Sequence, residues 1–123
     1  SIGVATVIAT GNNGFTTGVS APACISTAVA VGSSTKTDTM SSFTNRSPSM
    51  VDVLAPGSSI NAAVVGNTFG VKSGTSMATP HVAGAWAVLK QAVPTATVAQ
   101  VLAALQATAA PINDPLSLNE EQD

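Results

Sequence analysis

The chain has 123 residues, enough for one small domain, and it is 45% hydrophobic but only 8% charged. Its four basic residues and formal net charge of −2 exclude the basic surface that nucleic-acid binding needs. So few charged residues cover a folded surface poorly, since about a quarter of the residues in an average domain are charged. We therefore expect the chain to bury part of its surface against further polypeptide.

The first two thirds of the chain consist of apolar runs separated by turn residues. Segment 3–10 is a continuous apolar run bounded by glycine, which is typical of a strand buried on both faces of a parallel sheet. The remaining elements predicted here are strands at 25–32 and 50–55, a polar loop at 33–46, and a hairpin of 60–65 with 68–72 around Gly66-Asn67.

Two helices are predicted in the last third of the chain. Segment 76–92 is apolar on nearly every face, and a helix that is apolar all round is a buried one. Pro94 ends this helix, and either Thr95 or Thr97 caps a second helix that runs to about residue 108. Apolar residues recur at helical spacing along one face of the second helix: Val98, Val101, Leu102 and Leu105. Strands bordered by helices predict an α/β fold.

The sequence contains no run of about eighteen apolar residues, so no transmembrane span is expected. Its first residues lack the basic region of a signal peptide and begin directly in strand-like sequence, which indicates a cut chain. Cys24 is the single cysteine, so it can form no disulfide within the chain. It is either a small buried hydrophobe or the partner of a cysteine in further polypeptide.

Ser76 lies between small residues, just before the apolar run of the 76–92 helix. Gly74 allows the backbone to turn tightly there, and the N-terminus of a helix favours negative charge. An oxyanion that forms beside Ser76 would therefore meet free backbone N–H groups. This pattern predicts a serine nucleophile, which also needs a base, usually a histidine held by a carboxylate.

The chain's single histidine, His81, does not fit the role of that base. It follows Ser76 by five residues on the same predicted helix, so the two side chains project about 140° apart and lie about 7.5 Å apart along the axis. Residues three or four apart are neighbours on a helix, and residues five apart are not. We expect His81 to be structural, bound to a backbone carbonyl or packed below the site, and the base to come from polypeptide outside this chain.

Residues 74–84, Gly-Thr-Ser-Met-Ala-Thr-Pro-His-Val-Ala-Gly, resemble the serine motif of the subtilisin-like serine proteases, the subtilases. Residues 9–14, Ala-Thr-Gly-Asn-Asn-Gly, resemble the family segment whose asparagine completes the oxyanion hole, and residues 53–57 resemble the loop between the two. The resemblance covers about residues 2–112 and implies a three-layer fold with a mainly parallel sheet and flanking helices. It identifies residues 1–112 as the C-terminal part of a subtilase-like catalytic domain and leaves 113–123 as a polar and acidic tail.

The resemblance implies a role in the reaction for two residues. Ser76 matches the family nucleophile, and Asn12 matches the asparagine that binds the oxyanion together with the Ser76 backbone N–H. Four further residues match the family's primary specificity pocket, the first three in its wall and the last at its rim: Ala9, Thr10, Gly11 and Asn13. The implied reaction is peptide-bond hydrolysis by acyl transfer on a polypeptide substrate.

The family's aspartate and histidine motifs come earlier in a subtilase, and neither is present in this chain. The resemblance therefore implies that an N-terminal half, from the same gene or a separate chain, supplies both residues, and that this chain is inactive alone. Subtilases often bind calcium, but this sequence has no dense carboxylate cluster, so no metal or other cofactor is assigned to it. Calcium is possible in the complete enzyme, and the habit of the family implies secretion.

Three interpretations remain open at this point. The chain is the C-terminal portion of a subtilase, a non-catalytic subtilase-like module that packs against a partner, or an unrelated α/β binding domain in which Ser76 caps a helix. The remaining carboxylates are interpreted as local: Asp52 accepts hydrogen bonds at a strand end, and Asp38 is a solvated turn residue. The last acidic residues are predicted to form a flexible end: Glu120, Glu121 and Asp123.

Overall fold

The computed structural model describes residues 2–114 of the chain. Three parallel strands form the main sheet in the order β1-β2-β3, and two further strands form a separate antiparallel hairpin. The elements in chain order are β1 (Val7–Ala9), β2 (Val29–Ser34), β3 (Val53–Pro56), β4 (Ile60–Val64), β5 (Thr68–Lys72), α1 (Thr75–Ala92) and α2 (Val98–Thr108). The predicted α/β class, the parallel sheet and the hairpin are confirmed.

The core lies between the sheet and α1. The central strand β2 is buried along its whole length, because β1 and β3 flank it and α1 packs over all three strands. Val31 on β2 is fully buried, and Trp86 on α1 keeps only 8% of its surface exposed. Ala78, also wholly buried, presents a small side chain that lets α1 approach the strands. The second helix packs against α1 and adds Val101 to the same core.

Two strands begin later than the sequence predicts. β2 begins at Val29 rather than at residue 25, and β3 begins at Val53 rather than at residue 50. Residues 25–28 form a turn, in which the Ala28 N–H donates to the Ile25 carbonyl at 3.0 Å, and residues 51–52 have no regular structure. An apolar run does not by itself distinguish a turn that packs on the surface from the strand that follows it.

β1 is shorter and more exposed than predicted. The expected strand over 3–10 is limited to Val7–Ala9, all of it half-buried, and Val4 is 68% exposed. β1 pairs with β2 on one side, and within residues 2–114 no strand pairs with its other side. The prediction of a strand buried on both faces is therefore wrong for the chain by itself, and the free edge of β1 also leaves backbone N–H and C=O groups without a partner strand in this range.

α1 begins one residue earlier than predicted and ends where predicted, but only one of its faces is buried. On the opposite side, Val88 is 65% exposed. The expectation of a helix buried all round is wrong for this chain alone, because the sheet and α2 leave one side of α1 open among the described residues. The buried residues recur every three to four positions toward the sheet: Thr75, Ala78, Val82 and Trp86.

α2 ends where predicted, and Thr97 rather than Thr95 is its cap. Thr97 Oγ1 accepts from the Gln100 N–H at 3.2 Å, and Gln100 Oε1 accepts from the Thr97 N–H at 2.9 Å, which together form a capping box. The predicted apolar face is confirmed, since Val101 is buried and the other three residues of that face are half-buried against the core.

The segment after α2 is tied to the loop between β2 and β3 by an ion pair. Arg46 Nη1 lies 2.7 Å from Asp114 Oδ1, and the two side chains are only 8% and 15% exposed. Asp114, in the predicted tail, is therefore anchored to the body of the fold. The boundary after residue 112 stays a prediction, and the predicted acidic end lies outside the described residues: Glu120, Glu121 and Asp123.

Cys24 lies in a turn and is exposed, so its interpretation as a buried hydrophobe is wrong. Residues 21–24 form a turn that buries Ala23 and leaves the Cys24 side chain exposed. Pairing of Cys24 with a cysteine of further polypeptide stays a prediction. In the part of the chain that the structure describes, no helix is both long and apolar enough to cross a membrane.

Candidate active site

Ser76 is the second residue of α1 and is exposed at the N-terminus of the helix. Gly74 holds the N-cap position without a side-chain cap, and the first turn carries no acidic residue. Within residues 2–114, neither the N–H nor the hydroxyl of Ser76 has a hydrogen-bond partner. The start of α1 therefore presents a free donor and the positive end of the helix dipole beside the Ser76 hydroxyl.

The Asn12 side chain is bound to the residue immediately before Ser76. Its Oδ1 accepts from the Thr75 N–H at 2.8 Å and from the Thr75 hydroxyl at 2.9 Å. Thr75 is 1% exposed, so this anchor is fixed in the core. The contact commits the oxygen of Asn12, whereas Nδ2 donates to no described residue and belongs to an exposed side chain.

The backbone turns sharply between β1 and Asn12, and Gly11 makes the turn possible. Its φ is +100°, and a Cβ at this position would lie 2.5 Å from Ser20 Oγ and 2.6 Å from Asn45 Nδ2. The Gly11 N–H donates to the Thr75 hydroxyl at 3.2 Å, which joins the turn directly to the start of α1. The site forms at the carboxyl end of β1, where open α/β sheets bind ligands.

The four residues predicted for the specificity pocket lie around this turn and differ in exposure. Ala9 and Gly11 are half-buried, and Asn13 is exposed. Thr10 is fully buried, and its hydroxyl donates to the Asn45 carbonyl at 3.3 Å. Among the four, the side chain of Thr10 is thus turned into the protein, and a role for any of them in substrate binding stays a prediction.

The 53–57 loop lies against the start of α1. The Gly74 N–H donates to the Gly57 carbonyl at 2.8 Å. A Cβ on Gly57 would lie 2.3 Å from Ser33 Oγ and 2.7 Å from the Gly74 carbonyl oxygen, so no other residue type fits there. The three segments that carry the resemblance are therefore linked in the fold, although they are far apart in the sequence.

His81 is bound within α1 rather than to Ser76. Its Nδ1 lies 2.8 Å from the Met77 carbonyl oxygen, and Nδ1 is the donor because a carbonyl only accepts. The prediction of a structural histidine on a backbone carbonyl is confirmed. Since the chain has one histidine, this sequence holds no other imidazole to take a proton from Ser76.

Two carboxylates have the local roles that were predicted for them. Asp52 Oδ2 accepts from the Ala30 N–H at 2.7 Å, and Asp38 is exposed in a turn with a φ of +54°.

A cavity of about 690 Å³ lies beside Asp52, and neither Asn12 nor Ser76 lines it. The candidate active site is therefore at the exposed start of α1 rather than in this cavity.

Asn12 is bound to Thr75, the residue before Ser76, so its side chain lies at the N-terminus of α1, which also carries the Ser76 hydroxyl and N–H. Backbone and amide donors held close together can stabilise the oxyanion that forms when a hydroxyl attacks a carbonyl group.

The sequence does not single out two residues that hold this arrangement. Thr75 fixes the Asn12 side chain, and Asn45 contacts the turn at Gly11 from the loop between β2 and β3. The position of Thr75 next to the nucleophile is a signal that could have found it. Asn45 has no such signal, because a polar loop rich in serine and threonine gives no reason to prefer one of its members.

A sequence model of peptidase family S8, described as the subtilase family, matches residues 1–122. The chain belongs to the subtilase family. The resemblance found in the sequence is thereby confirmed, and the interpretation as an unrelated α/β binding domain is wrong. The structure also contradicts a capping role for Ser76, because Gly74 holds the N-cap position of α1.

Several curated proteins are similar to this subtilase chain. Subtilisin E of Bacillus subtilis strain 168 and a subtilisin of Bacillus pumilus are each 43% identical to it over 112 residues, which is 89% of this chain but 29% and 40% of those proteins. An extracellular serine proteinase of Thermus sp. strain Rt41A is 43% identical over 111 residues, again 89% of this chain and 27% of that protein. The chain thus spans less than half the length of these relatives.

A solved structure has the same fold. The crystal structure of a cold-adapted subtilisin-like serine proteinase matches this subtilase chain with a TM-score of 0.81 and 41% sequence identity. The match covers 87% of this chain and 39% of that chain. The subtilisin-like α/β fold is therefore confirmed, and the larger part of that proteinase has no counterpart in this chain.

Proposed function

We propose that this chain supplies the nucleophile and the oxyanion-binding groups of a serine endopeptidase. Ser76 is the nucleophile, and the Asn12 amide and the Ser76 N–H bind the oxyanion. One observation carries this proposal: Thr75 holds Asn12 Oδ1 with two hydrogen bonds, of 2.8 and 2.9 Å, directly before Ser76. This contact leaves the Nδ2 donor of Asn12 for the reacting carbonyl.

The reaction is acyl transfer to Ser76. Ser76 Oγ forms a bond to the carbonyl carbon of the scissile peptide while a histidine from outside this chain takes the hydroxyl proton. The carbonyl oxygen becomes the oxyanion and accepts hydrogen bonds from Asn12 Nδ2 and the Ser76 N–H. The tetrahedral intermediate then expels the amine, which takes the proton from the histidine, and the acyl-serine ester that remains is hydrolysed by water.

The base comes from an N-terminal half of the subtilase domain, which also carries the aspartate that holds it. His81 cannot serve, since it donates to the Met77 carbonyl at 2.8 Å and no second histidine is present in the sequence. The open edge of β1 among the described residues, and Val88 with 65% exposure on α1, support a further half that packs there. The chain alone is therefore nearly inactive, because nothing in it deprotonates Ser76.

The substrate is a polypeptide whose side chain before the scissile bond lies along the 9–13 turn. Ala9, Gly11 and Asn13 retain surface there, and Thr10 supports them from below through its hydroxyl. Asn13 at the rim is neutral, so we expect no strong charge preference from that position. Replacement by glutamate in the reassembled domain, with no change in preference for basic substrates, would argue against the place of Asn13 in the pocket.

The complete protein is secreted, and calcium is possible in the complete enzyme. Two relatives are described as an extracellular serine proteinase in a Thermus species and an alkaline serine exoprotease in Vibrio alginolyticus, which supports secretion. Within residues 2–114 no three side chains of the His, Cys, Asp and Glu types come together as metal ligands.

A second function is a non-catalytic subtilase-like module that packs against a partner. The observation in its favour is the same lack of a base, since the only histidine of the sequence is bound within α1. Hydrolysis by the assembled domain separates the two functions, because the module would bind its partner without cleaving peptides.

The test is reassembly with an N-terminal half of a subtilase catalytic domain that carries the aspartate and histidine motifs. We expect the complex to hydrolyse a peptide amide and neither part to do so alone. Ser76→Ala should lower turnover by about 10⁶-fold, a magnitude known from the nucleophile of subtilisin. Ser26→Ala, at an exposed turn away from the site, is the control and should leave turnover unchanged. A stable complex without hydrolysis would favour the non-catalytic module.

A further inference from the structure

Asn45 lies in the loop between β2 and β3, and no part of it is exposed. We propose that Asn45 is a positioning residue for the oxyanion-binding amide, because it fixes the oxyanion loop (residues 10–15) on both sides of Asn12. It does not touch the substrate and acts on the reaction through Asn12. This inference rests on the function proposed above for Asn12.

The Asn45 side chain uses both of its ends on the oxyanion loop. Its Oδ1 accepts from the Asn13 N–H at 2.9 Å and from the Phe15 N–H at 3.0 Å. Its Nδ2 donates to the Thr10 carbonyl at 2.9 Å and to Asn13 Oδ1 at 3.3 Å. Two backbone N–H groups need the acceptor Oδ1 and a backbone carbonyl needs the donor Nδ2, so only one orientation of the side-chain amide satisfies all of these groups.

The backbone of Asn45 holds the same loop. Its N–H donates to the Gly11 carbonyl at 3.0 Å, and its carbonyl accepts from the Thr10 hydroxyl at 3.3 Å. Contacts from this one buried residue therefore lie before Asn12, at Thr10 and Gly11, and after it, at Asn13. The loop has little freedom left around Asn12, since groups on both flanks are bound to a residue of the core.

Thr75 and Asn45 fix different parts of Asn12. Thr75 binds the oxygen of its side chain, and Asn45 binds the backbone on either side. With both in place, the Nδ2 donor is held where the oxyanion forms and needs no reorganisation during the reaction. Without Asn45 the loop can shift under Asn12, and a misplacement of about 1 Å in such a group costs about 10²-fold in rate.

Two variants and one control separate the contacts of Asn45. Asn45→Ala removes both ends of the amide, whereas Asn45→Asp keeps an acceptor for the two loop N–H groups and removes the donor to the loop carbonyl. Ser41→Ala is the matched control. Ser41 is 1% exposed, and its hydroxyl lies 2.7 Å from the hydroxyl of Ser33 rather than against the oxyanion loop. It tests the loss of a buried polar group that does not reach Asn12.

The first experiment is a double-mutant cycle in the domain reassembled with the N-terminal half. We expect Asn45→Ala to lower kcat by about 10- to 100-fold with little change in KM, and Ser41→Ala to leave kcat within about 3-fold. In an Asn12→Ala background, Asn45→Ala should lower kcat by less than about 3-fold, because the donor that it positions is gone. Equal losses in the two backgrounds would mean a merely structural role and would overturn the proposal.

The second experiment is amide hydrogen exchange on the chain by itself, which needs no activity. In Asn45→Ala the Asn13 and Phe15 amides should exchange at least about 10-fold faster, and the Val31 amide in β2 should keep its rate. In Asn45→Asp the same two amides should stay more protected than in Asn45→Ala. Unchanged exchange at both amides contradicts the proposal, as does unfolding of both Asn45 variants while Ser41→Ala stays folded. An inactive assembly with faster loop exchange overturns the proposed function and leaves to Asn45 only the role of holding the loop, whereas an active assembly with unchanged loop exchange overturns the positioning alone.

Discussion

The start of α1 and the outer side of the fold, meaning the free edge of β1 and the face of α1 that carries Val88, differ in how well residues of this chain cover and hold them. At the start of α1, hydrogen bonds from Thr75 and Asn45 hold the oxyanion loop within the chain. On the outer side, by contrast, Val4 and Val88 are 68% and 65% exposed, and no strand within residues 2–114 pairs with the free edge of β1. The chain thus holds in place the loop and the helix start to which we assign the nucleophile and the oxyanion donors, and it leaves open the side that we expect further polypeptide to cover.

This difference indicates what the chain can do by itself. Groups to which we assign a role in the reaction are fixed by residues of the same chain, whereas apolar side chains such as Val4 and Val88 stay exposed and the free edge of β1 has no partner strand within residues 2–114. The chain spans 29% and 40% of two subtilisins that it resembles, which agrees with such a division.

The largest effect should separate the two sides of α1. Trp86→Ala empties a core position that is 8% exposed and should lower the free energy of unfolding by about 3–5 kcal/mol. Val88→Ala, two residues further on, should change it by less than about 0.5 kcal/mol because Val88 is already open to solvent. Urea unfolding followed by circular dichroism measures both, and equal losses would show that the two sides do not differ.

The next effect concerns turnover and the Asn12 amide at the start of α1. In the reassembled domain, Asn12→Ala should lower kcat by about 10²–10³-fold with little change in KM, a magnitude known from the corresponding donor of subtilisin. The control is Asn61→Ala, at an exposed position of β4, which should leave kcat unchanged. A kcat for Asn12→Ala within a few-fold of the parent would remove Asn12 from the oxyanion site.

A smaller effect tests the N-terminus of α2, which residues of this chain cap away from the site. Thr97→Ala breaks the capping box of α2 and should lower the free energy of unfolding by about 1 kcal/mol. Thr95→Ala should have almost no effect, although the sequence offered either threonine as the cap. A larger loss for Thr95→Ala in thermal or urea unfolding would reverse that assignment.

The smallest expected change in the stability of the isolated chain comes from a test of Val88, on the exposed face of α1. Val88→Gln should leave the free energy of unfolding of the chain within about 0.5 kcal/mol, because Val88 is already exposed. It should weaken binding to the N-terminal half by about 10-fold, because the complex then no longer buries an apolar valine side chain at the interface. Calorimetric titration measures the second quantity. Val65→Gln, at a fully exposed position of the hairpin turn, is the matched control and should change neither value. Equal binding by the two variants would place the interface elsewhere.

Local patterns predicted much of the fold. The hairpin, α1 and α2 have the predicted positions because helical periodicity, capping residues and the Gly66-Asn67 turn act over a few residues. Burial was predicted less well. The 3–10 segment is only partly buried and the outer face of α1 is exposed, although their sequences are those of buried elements. An apolar pattern reflects everything that a segment packs against, and this chain contains only part of it.

The same division applies to the site. Ser76 could be singled out because it lies among small residues just before an apolar helix, and Asn12 because its segment resembles the one that completes the family's oxyanion hole. Their connection through Thr75 depends on a contact between residues 63 positions apart, which no local pattern reports. Asn45 could not be found at all, because an asparagine in a polar loop has the appearance of a turn residue until its burial is known.

The most direct test of the account is labelling of Ser76 by a serine-reactive phosphonate, read by mass spectrometry of the intact chain and its peptides. The account predicts almost no adduct on the chain alone, an adduct at Ser76 when the N-terminal half is added, and none with Ser76→Ala. Rapid labelling of the chain alone would contradict it, because a base would then be present within these residues. Absence of labelling in a stable complex would contradict the catalytic role of Ser76.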